Sequence, residues 1–77
     1  MVTAFVLVET GVGTGPKVVG SLKALPEVRM VDRVTGPYDV IATVELVDLQ
    51  ALGTFLNDRV RMLPGVQKTV TCVVVKS

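Results

Sequence analysis

The chain has 77 residues, 49% of them hydrophobic, with a net charge of +1, one cysteine and no histidine. That length supports one small domain, residues 1–77, and the composition excludes an internal disulfide, a histidine-based metal or acid–base centre, and a strongly basic nucleic-acid surface. A mean hydropathy of +0.59 is high for a short chain without staples, so burial against another copy is expected. No apolar run approaches the roughly 20 residues of a membrane-spanning helix. The N-terminus also lacks the basic start and small-residue cleavage site of a signal peptide, so a cytoplasmic protein with no membrane partner is expected.

Val2 to Thr10 reads as a strand, dense in β-branched and aromatic residues. Gly11 to Pro16 is a loop. Pro16 suits the first turn of a helix, with Thr14 or Gly15 as N-cap, and Val18, Val19, Leu22 and Leu25 form its apolar stripe. Leu25-Pro26 ends that helix. Val28 to Thr35 is a second strand whose Arg29, Asp32 and Arg33 suit a sheet edge. Gly36-Pro37 is read as a hairpin turn into a third strand, Tyr38 to Leu46. Asp48 can cap a second helix carrying Leu49, Leu52, Leu56, Val60 and Leu63 on one stripe. Leu63-Pro64-Gly65 stops it, and Val66 to Lys76 is the last strand.

The order βαββαβ is internally repeated. Leu25-Pro26-Glu27-Val28 is echoed by Leu63-Pro64-Gly65-Val66 about half the chain later. Two such units interlock as an α+β, ferredoxin-like sandwich: a four-stranded antiparallel sheet with two helices on one face. The first strand is apolar on both sides, with Val2, Ala4, Val6 and Val8 on one and Phe5 and Leu7 on the other. A sheet with one wet face should alternate apolar and polar, so the open face is expected to be covered by a second copy.

Few residues carry chemistry. Gly11-Val12-Gly13-Thr14-Gly15 lacks the spacing of a dinucleotide fingerprint and the Gly-Lys-Ser/Thr of a Walker loop, and reads as a connecting loop. Cys72 reads as a buried, inert thiol. Ser21 and Ser77 have no histidine to activate them. Glu9, Asp32, Glu45 and Asp58 show no metal-loop spacing, so neither metal nor cofactor is expected. Scattered lysines and arginines without interleaved aromatics argue against nucleic acid. Asp39 stands out as a carboxylate between the Gly36-Pro37-Tyr38 turn and an apolar strand. It either bonds the turn's own N–H groups or meets a ligand's ammonium, with nearby backbone amides holding a carboxylate.

The segments Leu25 to Val40, Asp48 to Leu52 and Leu63 to Val75, taken together in this order and spacing, resemble the effector-binding (RAM) domain of the Lrp/AsnC transcriptional regulators. Val34-Thr35-Gly36-Pro37-Tyr38-Asp39 is the most specific piece. The resemblance implies sheet-to-sheet dimers that assemble into octamers or similar rings, with small amino-acid effectors bound between dimers. It assigns Gly36, Pro37, Tyr38 and Asp39 to the effector site, with Thr69 and Thr71 of the last strand contributing hydroxyls. The first strand starts directly after Met1, so a stand-alone domain without the family's helix-turn-helix is expected, with no direct contact to nucleic acid. The alternatives are an assembly partner forming mixed rings with full-length Lrp/AsnC regulators, or a small ferredoxin-like enzyme. The lack of histidine disfavours the enzyme, and no catalytic residue is assigned.

Overall fold

The computed structural model describes residues 1–75. Its elements are β1 (Val2–Thr10), α1 (Gly15–Lys23), β2 (Val28–Arg33), β3 (Val40–Leu46), α2 (Leu49–Phe55) and β4 (Val66–Val73). A single π-helical turn, Leu56–Val60, follows α2. The strands form one antiparallel sheet in the order β2-β3-β1-β4. This is the ferredoxin-like arrangement. β4 ends at Val73, earlier than the expected Lys76, which itself lies outside the described residues.

Strand parity sorts the side chains. Ala4, Val6 and Val8 of β1 and Val40, Ala42, Val44 and Leu46 of β3 are buried with Val18 and Leu22 of α1, Leu52 and Phe55 of α2, and Val60. Each fully buried valine or leucine contributes about 1.5–3 kcal/mol by leaving water. On the other face, β4, β1, β3 and β2 place Val70, Leu7, Ile41 and Asp32 in one row and Cys72, Phe5, Thr43 and Met30 in the next. Phe5 and Met30 are exposed there. Cys72 is also exposed, which corrects the expected buried thiol. Its strand position puts it on the uncovered face, opposite Phe5, rather than toward the helices.

Caps mark the helix starts, while both helical runs stop short of their expected Leu-Pro ends, at Lys23 and at Val60. Thr14 is the N-cap of α1. Asp48 caps α2, its Oδ1 accepting from the Ala51 amide at 2.8 Å. Three expectations for the second helix change. Leu49, at its first position, lies 62% exposed, while Phe55 takes a core place the stripe did not include. The α-helical pitch also gives way at Leu56, where the Arg61 amide reaches back to the Leu56 carbonyl at 2.9 Å. That wider turn keeps Val60 in the core.

The repeated Leu-Pro turns are built alike. Val28 N–H donates to Leu25 O at 3.1 Å, and Val66 N–H to Leu63 O at 3.2 Å. Their third residues differ in consequence. Gly65 has φ +95, and a Cβ there would stand 2.9 Å from Thr14 Cβ and Oγ1 and 3.0 Å from Val18 Cγ2. Its carbonyl accepts from Gly11 N–H at 2.9 Å. The start of α1 therefore closes directly onto this turn. Gly65→Ala is expected to destabilise the fold by about 2–4 kcal/mol through backbone strain and overpacking. Gly20→Ala, on an open helix surface, is expected to stabilise by about 0.5–1 kcal/mol. Thermal melts of the two variants should move in opposite directions.

Candidate functional site

The expected tight Gly36-Pro37 hairpin is replaced by a longer connection. β2 stops at Arg33 and β3 starts at Val40, so Val34 and Thr35 leave the first strand and Tyr38 and Asp39 precede the second. The connection is closed at its base by Val34 N–H donating to Asp39 O at 2.9 Å. Gly36 adopts φ +148, a region that favours glycine. Pro37 has no N–H to offer a ladder. Together they carry the chain away from β1.

Asp39 sits where that departure leaves a gap. Its N–H still pairs with Val8 O at 2.9 Å. Beyond it, Thr10 of β1 has no β3 residue opposite. The Asp39 carboxylate fills the place, Oδ2 accepting from Thr10 N–H at 2.8 Å. The side chain thus extends the β1–β3 ladder by one rung. This corrects the expectation that Asp39 would bond the turn's own amides: its partner lies 29 residues away.

Asp39 lines a cleft of about 260 Å³ with Thr10, the Gly11–Gly13 loop, Gly15, Pro16, Arg33 and Val34. Arg33 is opposite Val40 in register, on the helix side of the sheet. Its guanidinium lies against Gly15 at the start of α1, with Nε and Nη2 each 3.6 Å from the position of a Cβ there. Among the described residues the Arg33 side chain makes no ion pair, and Asp39 Oδ1 accepts no hydrogen bond. An acid and a base therefore share a small cleft without pairing, beside a helix N-terminus that favours anions. Such a cleft suits a small molecule with separated positive and negative ends.

The structure brings only some of the expected residues together. Asp39 lines the cleft, while Gly36, Pro37 and Tyr38 belong to the connection outside its wall. Thr69 lies across β1, since Val40 and Thr69 both pair with Val8. Two strand spacings put it about 10 Å away. It lines a separate cavity of about 450 Å³ with Arg61, Val66, Gln67 and Lys68. Thr71 is two pairs further along, opposite Val6. Arg33 and the glycine loop were missed. Parity held a signal for Arg33: it stands two residues after Val31, on the same side of the strand. Among the described residues no cluster of three metal-ligating side chains occurs, and no helix is long and apolar enough to cross a membrane.

The family model for the Lrp/AsnC ligand binding domain matches residues 3–77. The HTH-type transcriptional regulator FL11 of Pyrococcus horikoshii is 34% identical over 96% of this chain and 48% of its own length. The chain thus spans about half of that curated relative. The crystal structure of FFRP-DM1 superposes with a TM-score of 0.94 at 39% identity, covering 97% of this chain and all of the other. A transcriptional regulator from Neisseria meningitidis, NMB0573, solved as a complex with L-Met, is 25% identical with a TM-score of 0.89, over 97% of this chain and 50% of its own.

Asp39→Ala removes the acceptor for the half-buried Thr10 amide and is expected to cost about 1–2 kcal/mol. Asp39→Asn keeps an acceptor oxygen and should retain most of that stability. Urea unfolding, together with amide exchange at Thr10, checks both: exchange should rise in the alanine variant and stay near wild type in the asparagine one.

Proposed function

Because the chain belongs to the Lrp/AsnC ligand-binding-domain family, we propose that it is a regulatory domain of transcriptional control that binds a small amino-acid effector and assembles from copies of itself. One observation carries the ligand reading: Asp39 and Arg33 stand unpaired in the same cleft. An effector's ammonium meets the free Asp39 Oδ1. Its carboxylate meets the Arg33 guanidinium at the start of α1, a charge-assisted contact. Asp39 then has two tasks on two oxygens, since Oδ2 is held by Thr10. The Neisseria relative's complex with L-Met supports an amino acid as the ligand class. In this reading Thr69 and Thr71 reach a cleft only across a subunit contact, because within one chain β1 separates them from Asp39.

The assembly reading rests on the open sheet face. Phe5, Leu7, Ile41, Val70, Cys72 and Met30 form an apolar centre, with Glu9, Lys68 and the Arg29–Glu45 ion pair at its margins. An apolar core with a charged rim is the composition of a protein interface. A second copy seated sheet to sheet covers it.

Two measurements test these readings. In a thermal-shift screen against the standard amino acids, an effector at 100 times its Kd stabilises the fold by about 2.7 kcal/mol. The selective shift should vanish in Asp39→Asn and in Arg33→Gln while both variants remain folded. No shift with any amino acid overturns the ligand reading. In sedimentation, wild type should run as a dimer or larger and Phe5→Asp as a folded monomer. A monomeric wild type rejects the assembly reading.

A further inference from the structure

A further cavity lies at the far end of β3, roughly 20 Å along the strand from the Asp39 cleft. It is a groove of about 490 Å³ between α2 and the turn before β2. Leu46, Ala51 and Phe55 give it an apolar floor, and Glu27, Asp58 and Arg59 stand on its rim.

Three independent features mark it. The first is Glu27, whose Oε1 is shielded from solvent yet accepts no hydrogen bond among the described residues. A buried acceptor left without a donor is costly, which is why such atoms are rare. Its Oε2 faces Arg59 Nη1 at 3.8 Å, an ion pair too long to be a hydrogen bond. The second is the internal repeat. Glu27 is the counterpart of Gly65, where the absent side chain lets α1 close onto the turn. At Glu27 a full side chain stands in that position, and the space between turn and helix is open. The third is the π-helical turn Leu56–Val60, which carries both Asp58 and Arg59. Such turns are rare and concentrate at functional sites.

We infer that this groove binds a small aliphatic amine in its ammonium form. The groove offers hydrocarbon contact and an under-satisfied carboxylate, and its acids Glu27, Asp48 and Asp58 outnumber Arg59. An ammonium enters beside the Glu27 carboxylate, which Arg59 reaches only at 3.8 Å, and donates to it directly; its alkyl tail lies on Leu46 and Phe55. The Glu27 side chain is 30% exposed, so it can turn toward the ligand. Arg59 is the one cation in this lining against three acids, so a carboxylate on the same ligand gains less here than in the Asp39 cleft, and the groove favours the simple amine over the amino acid.

The test is an amide-detected NMR titration with n-pentylammonium chloride, beside n-pentanol and norleucine, which carries the same amine and tail plus a carboxylate. Saturable shifts with the amine are expected at Glu27, Ala51, Thr54 and Phe55, with little response there to the other two compounds. Affinity should fall at least tenfold in Glu27→Gln. Ala51→Leu, which fills the floor without touching the acids, should abolish binding while leaving a dispersed, folded spectrum. The inference is overturned if the groove amides do not shift, if n-pentanol or norleucine shifts them equally, or if both variants bind like wild type. Shifts confined to Thr10 and Asp39 also overturn it, and leave the amino-acid reading of that cleft standing.

Discussion

β1 must satisfy its backbone groups on both sides at once, and the rest of the architecture follows from that requirement. Along most of its length β3 and β4 do this. Buried or half-buried N–H groups seldom go without a partner. Where β3 departs, the Thr10 amide needs an acceptor, and Asp39 supplies one from its side chain. The same departure that creates the need also borders the cleft, whose walls join Val34 and Asp39 of the connection to Gly15 and Pro16 of α1. The carboxylate at the strand mouth is thus a part of the sheet and a wall of the cavity, with one oxygen for each role.

The two surfaces that the proposed function uses, the Asp39 cleft for the ligand and the apolar face for a second copy, lie on opposite sides of the sheet. Arg33 shares the helix side with Val40, whereas Phe5 and Leu7 face the other way. A copy seated on the apolar face therefore leaves the Asp39 cleft accessible. Ligand binding and the first step of assembly need not compete for the same surface.

Much of the fold was legible because its signals are local. The strand over β1 with apolar residues on both faces, the Asp48 cap and the paired Leu-Pro turns each depend on neighbours in sequence, and each is found, although both helical runs stop a few residues short of their Leu-Pro turns. The misses arise where the outcome depends on distant parts of the chain. Leu49 fits the helical stripe, but its place at the first turn puts it beyond the core. Cys72 lies in an apolar strand, but only pairing with Phe5 reveals that its side of the sheet is uncovered. The Asp39 partner lies on another strand, so no local turn rule could name it. Arg33 looked like an edge charge until β2 and β3 were registered and α1 was placed beside it. The π-helical turn has no spacing signature, since Leu56 and Val60 fit an ordinary helix equally well.

The first and last strands also set how the domain carries load. β1 and β4 are antiparallel neighbours, and Val74 N–H still bonds Thr3 O at 2.9 Å. The two ends of the described chain therefore leave the sheet side by side, at the same end of two neighbouring strands. β4 has only β1 as a partner in the sheet. Tension between those two ends would act across the β1–β4 ladder and open its hydrogen bonds one after another, as a zipper opens, rather than shearing them together. Anything attached at both ends would be held close together and joined through a mechanically soft seam, while β1, β3 and the helices remain a stiffer unit behind it.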